Sequence, residues 1–239
     1  FRRVLFRSFR YTNSFKEARF LRAYFYFNLV RAYGDVPYFT EMVTTDQVNS
    51  LTRTPAQEIF NAIIAECDKL STELPADYTK LGLDGIAPAE NGRVTCYAAL
   101  ALKARAALYA ASPLFNPENN KDLWRRAAEA NKEVIETCTA NGFKLSKYSE
   151  LWGPNNWSNN EMIFVRRYNG NISTLEEYNF PMGVPGGNSG NCPTQNMVDA
   201  YEMKATGKMW NETGSGYDAS NPYVGRDPRF DMTIVKNGD

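Results

Sequence analysis

The sequence predicts a mainly α protein: a tetratricopeptide-like helical array with long irregular loops and a few short strands. Three observations carry that class. Apolar residues recur at helical spacing in four successive segments between residues 17 and 139. Each segment ends at a glycine or proline. Strand-like alternation is confined to two short runs in a Gly/Asn-rich second part.

The first helix is built on Glu17 to Tyr33. Ala18, Leu21, Phe25, Leu29 and Ala32 form one apolar stripe; Phe20, Tyr24 and Phe27 form a second. Two stripes predict a helix covered on two sides, with Leu21 in the core. Gly34 stands where a left-handed C-cap is expected and Pro37 prevents continuation. A polar loop is expected over 38–53. Thr54, Pro55 and Gln57 predict the next helix start, as N-cap, first helical residue and capping box. Ile59, Phe60, Ile63, Ile64, Cys67 and Leu70 make its apolar face, with Glu58, Glu66, Asp68 and Lys69 turned to water.

Pro and Gly residues mark 75–92 as loop. The third helix is expected from about Val94 to Ala111. Eight of the 14 residues from 98 to 111 are alanine, which allows close helix approach, while Tyr97, Leu100, Leu102 and Leu108 supply bulk. The fourth helix is expected from about Lys121 to Thr139, burying Trp124, Ala127, Ala128, Val134, Ile135 and Cys138. Trp124-x-x-Ala127-Ala128, and Ala104-x-x-x-Leu108 before Pro113, loosely echo a tetratricopeptide helix pair.

Beyond residue 150 the character changes. Glu161 to Tyr168 predicts a short strand, 169–193 a long loop, Thr194 to Met203 a short capped helix, 204–229 a second loop, and Phe230 to Val235 a strand. Asn237-Gly238 is a hairpin-turn signal with no strand after it, so a fragment is expected. The start, residues 1–8, has the look of a non-native or disordered segment. It is set apart from a domain over 9–239, divided into a helical array (9–152) and a loop-rich, ligand-side region (153–239).

Composition limits the function classes. Lys+Arg and Asp+Glu balance at 27 each, so no basic excess points to nucleic acid or anionic lipid. The absence of histidine removes His-based triads, acid–base chemistry and the usual zinc sites. No metal or cofactor is expected. Cys67, Cys96, Cys138 and Cys192 form no CxxC pair and are expected mostly as small buried hydrophobes, with a disulfide as the alternative.

Sequence motifs then point further. Glu17 to Pro37 closely follows an E-A-R-F-L-R-A-x-x-Y-F-x-L-V-R-x-Y-G-D-V-P pattern. Lys147 to Trp152 before Asn160 to Phe164, Pro193 to Met203, and Asn221 to Phe230 follow three more motifs in order. In these four segments the chain resembles the SusD/RagB family of nutrient-binding lipoproteins, missing the C-terminal part of the family fold. The resemblance implies non-catalytic glycan binding for delivery to a SusC-like TonB-dependent transporter. It implies a place on the outer surface of the outer membrane, held by a lipid anchor that this chain does not contain.

A sugar site needs aromatic faces for ring C–H groups and polar groups for hydroxyls. Two stretches outside the expected helices offer both. One holds Asn155, Asn156 and Trp157; the other, 176–217, holds Tyr178, Phe180, Trp210 and Tyr217. Tyr38, just past the first helix, is a further candidate, because that loop lies on the ligand side in glycan-binding relatives. Packing or partner contact is the commoner use of such aromatics. Arg226-Asp227-Pro228-Arg229 is expected as a turn held by its own ion pairs rather than as an anion site. Three other functions compete: capture of peptides or another nutrient, a glycoside hydrolase with paired carboxylates about 5–9.5 Å apart, and a helical-repeat interaction scaffold.

Overall fold

The computed structural model describes residues 2–78, 92–151, 156, 159–166 and 174–236. They fall into two compact units, Phe1–Arg167 and Tyr168–Asp239, and each is described by itself.

The first unit is helical. Its elements are α1 (Arg2–Tyr33), α2 (Thr45–Val48), α3 (Ala56–Glu73), α4 (Cys96–Ala111) and α5 (Lys121–Ala140), followed by a 3₁₀ turn at Tyr148–Leu151. Helix α3 packs on α1 and α4, and α4 packs in turn on α5. The alanines explain how α4 sits between two helices. Ala98, Ala99, Ala104, Ala106, Ala107, Ala110 and Ala111 are all buried, and their small side chains leave room for Ile59, Phe60, Ile63 and Leu70 of α3. Full burial of Phe20, Phe27 and Phe60 contributes on the order of 1.5–3 kcal/mol for each ring.

The face that α1 buries differs from the expected one. Phe20, Ala23, Tyr26, Phe27 and Val30 enter the core. The stripe of Ala18, Leu21, Phe25, Leu29 and Ala32 is exposed, Leu21 to 39% and Phe25 to 59%. A second apolar stripe predicts a second cover. Among the described residues, α3 and α4 meet α1 from one side, and the other side lines an apolar groove of about 420 Å³.

Other details also change. Leu108, Trp124, Ala128 and Ile135 are exposed rather than buried. Helix α5 buries Ala127 and Cys138 as expected, with Ala130 beside them in place of the bulkier residues. Glu66 and Asp68 do not simply face water: Arg19 bonds Glu66 and Glu73 at 2.6 Å each, and Lys103 bridges Asp68 and Glu133. The Arg19 hydrogen bond holds the Glu66 carboxyl below its ordinary pKa.

The turn after α1 does more than stop the helix. Gly34 adopts the left-handed conformation, φ +70°, and its N–H donates to Val30 O at 2.8 Å. Asp35 Oδ1 then accepts the Ala56 N–H at 2.8 Å, so α3 is capped from the end of α1. The expected capping box at Thr54 and Gln57 is absent. Gln57 instead donates from Nε2 to Ala110 O and Phe115 O at 2.7 Å. A capping box does form ten residues earlier, where Thr44 and Gln47 start α2 inside the stretch expected as loop.

The second unit contains α6 (Thr174–Asn179), α7 (Gln195–Asp199) and α8 (Phe230–Thr233). Thr194 caps α7, its side chain accepting from Met197 N. No strand occurs among the described residues of either unit; isolated bridges join Val36 to Thr54, and Met203 to Lys208 and Arg226. The two expected strands are therefore corrected. Residues 161–166 are turn and bend; the neighbouring segment 144–146 meets 159–161 through one main-chain bond, Lys144 N to Asn160 O at 3.3 Å, and otherwise through side chains, so no ladder forms. Residues 230–233 form one helical turn. Phe230 and Ile234, four apart, are both buried against Val198 and Tyr201, while Met232 is 53% exposed. Helical spacing, not alternation, decides which residues face inward.

All four cysteines are free. Cys67 and Cys138 are buried, Cys96 half-buried and Cys192 exposed. Burial pushes the Cys67 thiol up to about 12.

Candidate ligand-binding site

Residues 203–226 build the clearest surface platform. Met203 anchors the segment with its backbone. Its N–H donates to Lys208 O at 2.8 Å, closing a tight turn, while the Lys204 N–H donates to Gly225 O at 2.9 Å. The buried Ser215 ties the next loop together. Its hydroxyl donates to Trp210 O at 3.1 Å and accepts the Tyr217 N–H at 3.2 Å, and its carbonyl accepts from Thr206 Oγ1 at 2.9 Å.

These bonds bring Trp210 and Tyr217 together. Their ring centroids lie 5.5 Å apart at 65°, an edge-to-face arrangement favoured by aromatic quadrupoles. Arg226 sits behind the pair, with Cζ 5.0 Å from the Tyr217 ring centre. Only 4% exposed, it spends its donors on Pro222 O and Tyr201 O, at 2.9 and 3.0 Å. Arg226 is thus a support and not an open anion site. Arg229 instead pairs with Asp227 at 2.6 Å and holds that carboxyl down to about 2. The indole of Trp210 remains 37% exposed. Asn211, Glu212, Asp218 and Asn221 are exposed polar residues of the same segment.

The remaining candidates are placed differently. Tyr178 and Phe180, exposed to 51% and 43%, belong to the 174–191 stretch of the same unit. That stretch is closed by Asn188 N to Glu177 O and Asn191 N to Tyr178 O, at 2.9 and 2.7 Å. Gly190 is needed there, because a Cβ would stand 2.2 Å from Tyr178 Cδ1. Tyr38 belongs to the helical unit. Half-buried, it packs edge-on against Tyr26 with centroids 4.6 Å apart, and burial raises its hydroxyl pKa. Asn156 donates to Leu151 O at 3.0 Å. Trp157 and Asn155 lie outside the described residues.

Sequence inspection missed Ser215 and Arg226 as the platform's supports. A serine in a Gly/Ser loop carries no periodic signal, and Arg226 resembled its neighbour Arg229. The described groove on α1, lined by Ala18, Leu21, Arg22, Phe25, Tyr26 and Leu29, holds none of the candidate residues. Among the described residues no cluster of His, Cys, Asp and Glu could hold a metal ion, and no helix is long and apolar enough to cross a membrane.

A helical array followed by a loop-built unit with an aromatic platform defines a tetratricopeptide-like protein of the SusD type, and the comparisons agree. A SusD-like family model described as starch-binding, associating with outer membrane, matches residues 7–108, and the SusD family model matches 152–239. The chain belongs to the SusD/RagB family.

Among solved structures it is similar to a SusD-like carbohydrate binding protein of Bacteroides fragilis, with 30% identity and a TM-score of 0.74 over 95% of this chain and 41% of that one. A second SusD-like protein of Bacteroides fragilis gives 27% identity and a TM-score of 0.68 over 92% and 42%. Of curated proteins, SusD-like protein P25 of Formosa agariphila is 25% identical over 92% of this chain and 42% of its own length. The chain thus spans less than half the length of these relatives.

Proposed function

We propose that this chain belongs to a non-catalytic glycan-binding protein that holds oligo- or polysaccharide on the platform of Trp210 and Tyr217. The observation that carries the proposal is that pair, locked edge-to-face over a buried arginine and presented beside exposed amides and carboxylates. A half-exposed indole offers a flat face to sugar C–H groups, while Asn and Asp side chains suit hydroxyls. The family and the similarity to the carbohydrate binding protein of Bacteroides fragilis support a carbohydrate ligand. We extend the proposal to a cell-surface lipoprotein of the outer membrane that passes its glycan to a SusC-like TonB-dependent transporter.

Titration calorimetry and affinity gels against a panel of neutral and acidic glycans test the binding. At least one saccharide should bind, and Trp210→Ala should weaken it about tenfold or more, equivalent to ~1.4 kcal/mol, without changing the circular dichroism spectrum. Peptide binding with no saccharide binding, or release of new reducing ends from a bound glycan, would refute the proposal. Affinity purification from the native membrane should recover the transporter with the intact protein.

A further inference from the structure

The helical unit neutralises several of its cations with carboxylates. Arg19 meets Glu66 and Glu73, Arg93 meets Glu17, and Lys103 meets Asp68 and Glu133. Arg31 near the end of α1 and Arg105 on α4 are arranged differently. Both guanidinium groups lie on the ring of Phe27, with Cζ 5.9 and 5.8 Å from its centre. Tyr109, one helical turn beyond Arg105, packs edge-on against that ring with centroids 5.2 Å apart.

Phe27 is 1% exposed, whereas Arg31 and Arg105 are exposed and Tyr109 is half-buried. Two full positive charges and a phenol hydroxyl therefore converge at the surface over an apolar floor. Neither arginine has a carboxylate partner among the described residues.

We propose that Arg31, Arg105 and Tyr109 form a binding site for an oxyanion, a sulfate or carboxylate group, on the α1–α4 surface. Each chemical element of such a site is present. A guanidinium presents parallel N–H donors matched to the two oxygens of a carboxylate or sulfate. Cation–π contact with the Phe27 ring restrains both arginine side chains before any ligand arrives, which lowers the entropy lost on binding. The Tyr109 oxygen accepts from both arginines, which leaves its own O–H free to turn to an anion. Hydrogen bonding from Arg31, and to a smaller extent from Arg105, holds the Tyr109 hydroxyl below its ordinary pKa, so the two guanidinium groups already stabilise negative charge at that oxygen. The anion can be a free ion or the acidic substituent of a saccharide, since the donors see the same group in both. The inference stands on the helical unit and does not rest on the Trp210 platform.

Inorganic sulfate is the first probe, titrated calorimetrically into the full chain against chloride at matched ionic strength. Sulfate should bind beyond the chloride control, and the double variant Arg31→Gln/Arg105→Gln should weaken it at least tenfold. Arg125→Gln, removing an exposed cation elsewhere on the unit, should leave binding unchanged. Sulfate should also raise the pKa of the Tyr109 phenol, read by ultraviolet difference titration against Tyr109→Phe, because a bound anion opposes the phenolate.

Sulfated or uronate oligosaccharides compared with neutral ones of equal length separate the sources. A preference for the acidic sugar that the double variant abolishes assigns the anion to a saccharide; binding of sulfate alone assigns a free ion. If the double variant fails to fold, Arg105→Lys and Tyr109→Phe serve in its place, each expected to weaken sulfate binding. Equal sulfate binding by wild type and variants, or no difference between sulfate and chloride, overturns the inference.

Discussion

Replacing Asp35 by alanine should destabilise a helix that begins twenty-one residues later. Asp35 Oδ1 accepts the Ala56 N–H at 2.8 Å, and the residue before α3, Pro55, offers no side-chain cap. Loss of an N-cap acceptor costs about 0.5–2 kcal/mol. Removal of a carboxylate from a helix N-terminus adds about 0.3–1 kcal/mol. The sum falls near 1–3 kcal/mol, or roughly 2–12 °C in melting temperature at about 2–4 °C for each kcal/mol in a chain of this size. Urea unfolding followed by helical circular dichroism measures it. Asp35→Asn keeps the acceptor and loses only the charge, so it should cost less than ~1 kcal/mol. An unchanged midpoint for Asp35→Ala, or equal losses for Ala and Asn, would refute the role given to this bond.

The two sides of α1 should respond unequally to truncation. Phe27→Ala, at a fully buried ring, should cost about 3–5 kcal/mol; Leu21→Ala, 39% exposed, should cost about 1–2 kcal/mol by its smaller buried area, and chemical denaturation would show the reverse if the groove side were the true core. Leu21→Asp should likewise still fold, and its insolubility with a melted helix spectrum would count against the exposed placement. Arg229→Gln removes the largest cause of the low Asp227 pKa, so that carboxyl should rise from about 2 toward the ordinary value of about 3.9. Because the folded value is depressed, the stabilisation it brings is present above about pH 3.9 and is lost as pH falls through about 2; carboxyl-carbon NMR titration reads the shift directly. Cys192, exposed, should alkylate quickly at pH 8, while Cys67, with its thiol pushed up to about 12, should react only after denaturant is added. Peptide mass mapping distinguishes the two, and equal labelling rates would contradict the burial.

Much of the helical architecture was legible because it rests on local rules. The apolar spacing of α3, the alanines of α4 and the glycine at 34 each state their role within a few residues. What could not be read was long-range. Glu17 and Arg19 belong to the most recognisable motif of the chain, yet their tasks lie far away in sequence. Glu17 takes Arg93 at 2.6 Å and the Tyr78 hydroxyl at 2.9 Å, and Arg19 takes Glu66 and Glu73. Periodicity identifies which faces are apolar and not which are covered, so the Leu21–Phe25–Leu29 stripe was assigned to the core. The alternation in 230–235 was a strand signal that a single helical turn satisfied better. Of the site, the aromatics could be named from their polar surroundings, but the pairing of Trp210 with Tyr217 depends on Ser215 and Arg226, whose roles arise only when the loop closes.

The closure of that loop has a consequence for inheritance. Met203 joins two turns by main-chain bonds, and Ser215 and Arg226 grip carbonyl oxygens, groups that any residue would supply. The shape of the platform is thus largely independent of which side chain stands at 210 or 211. The displayed residue can be exchanged in one step while the frame beneath it stays intact, so a new surface need not await a new fold.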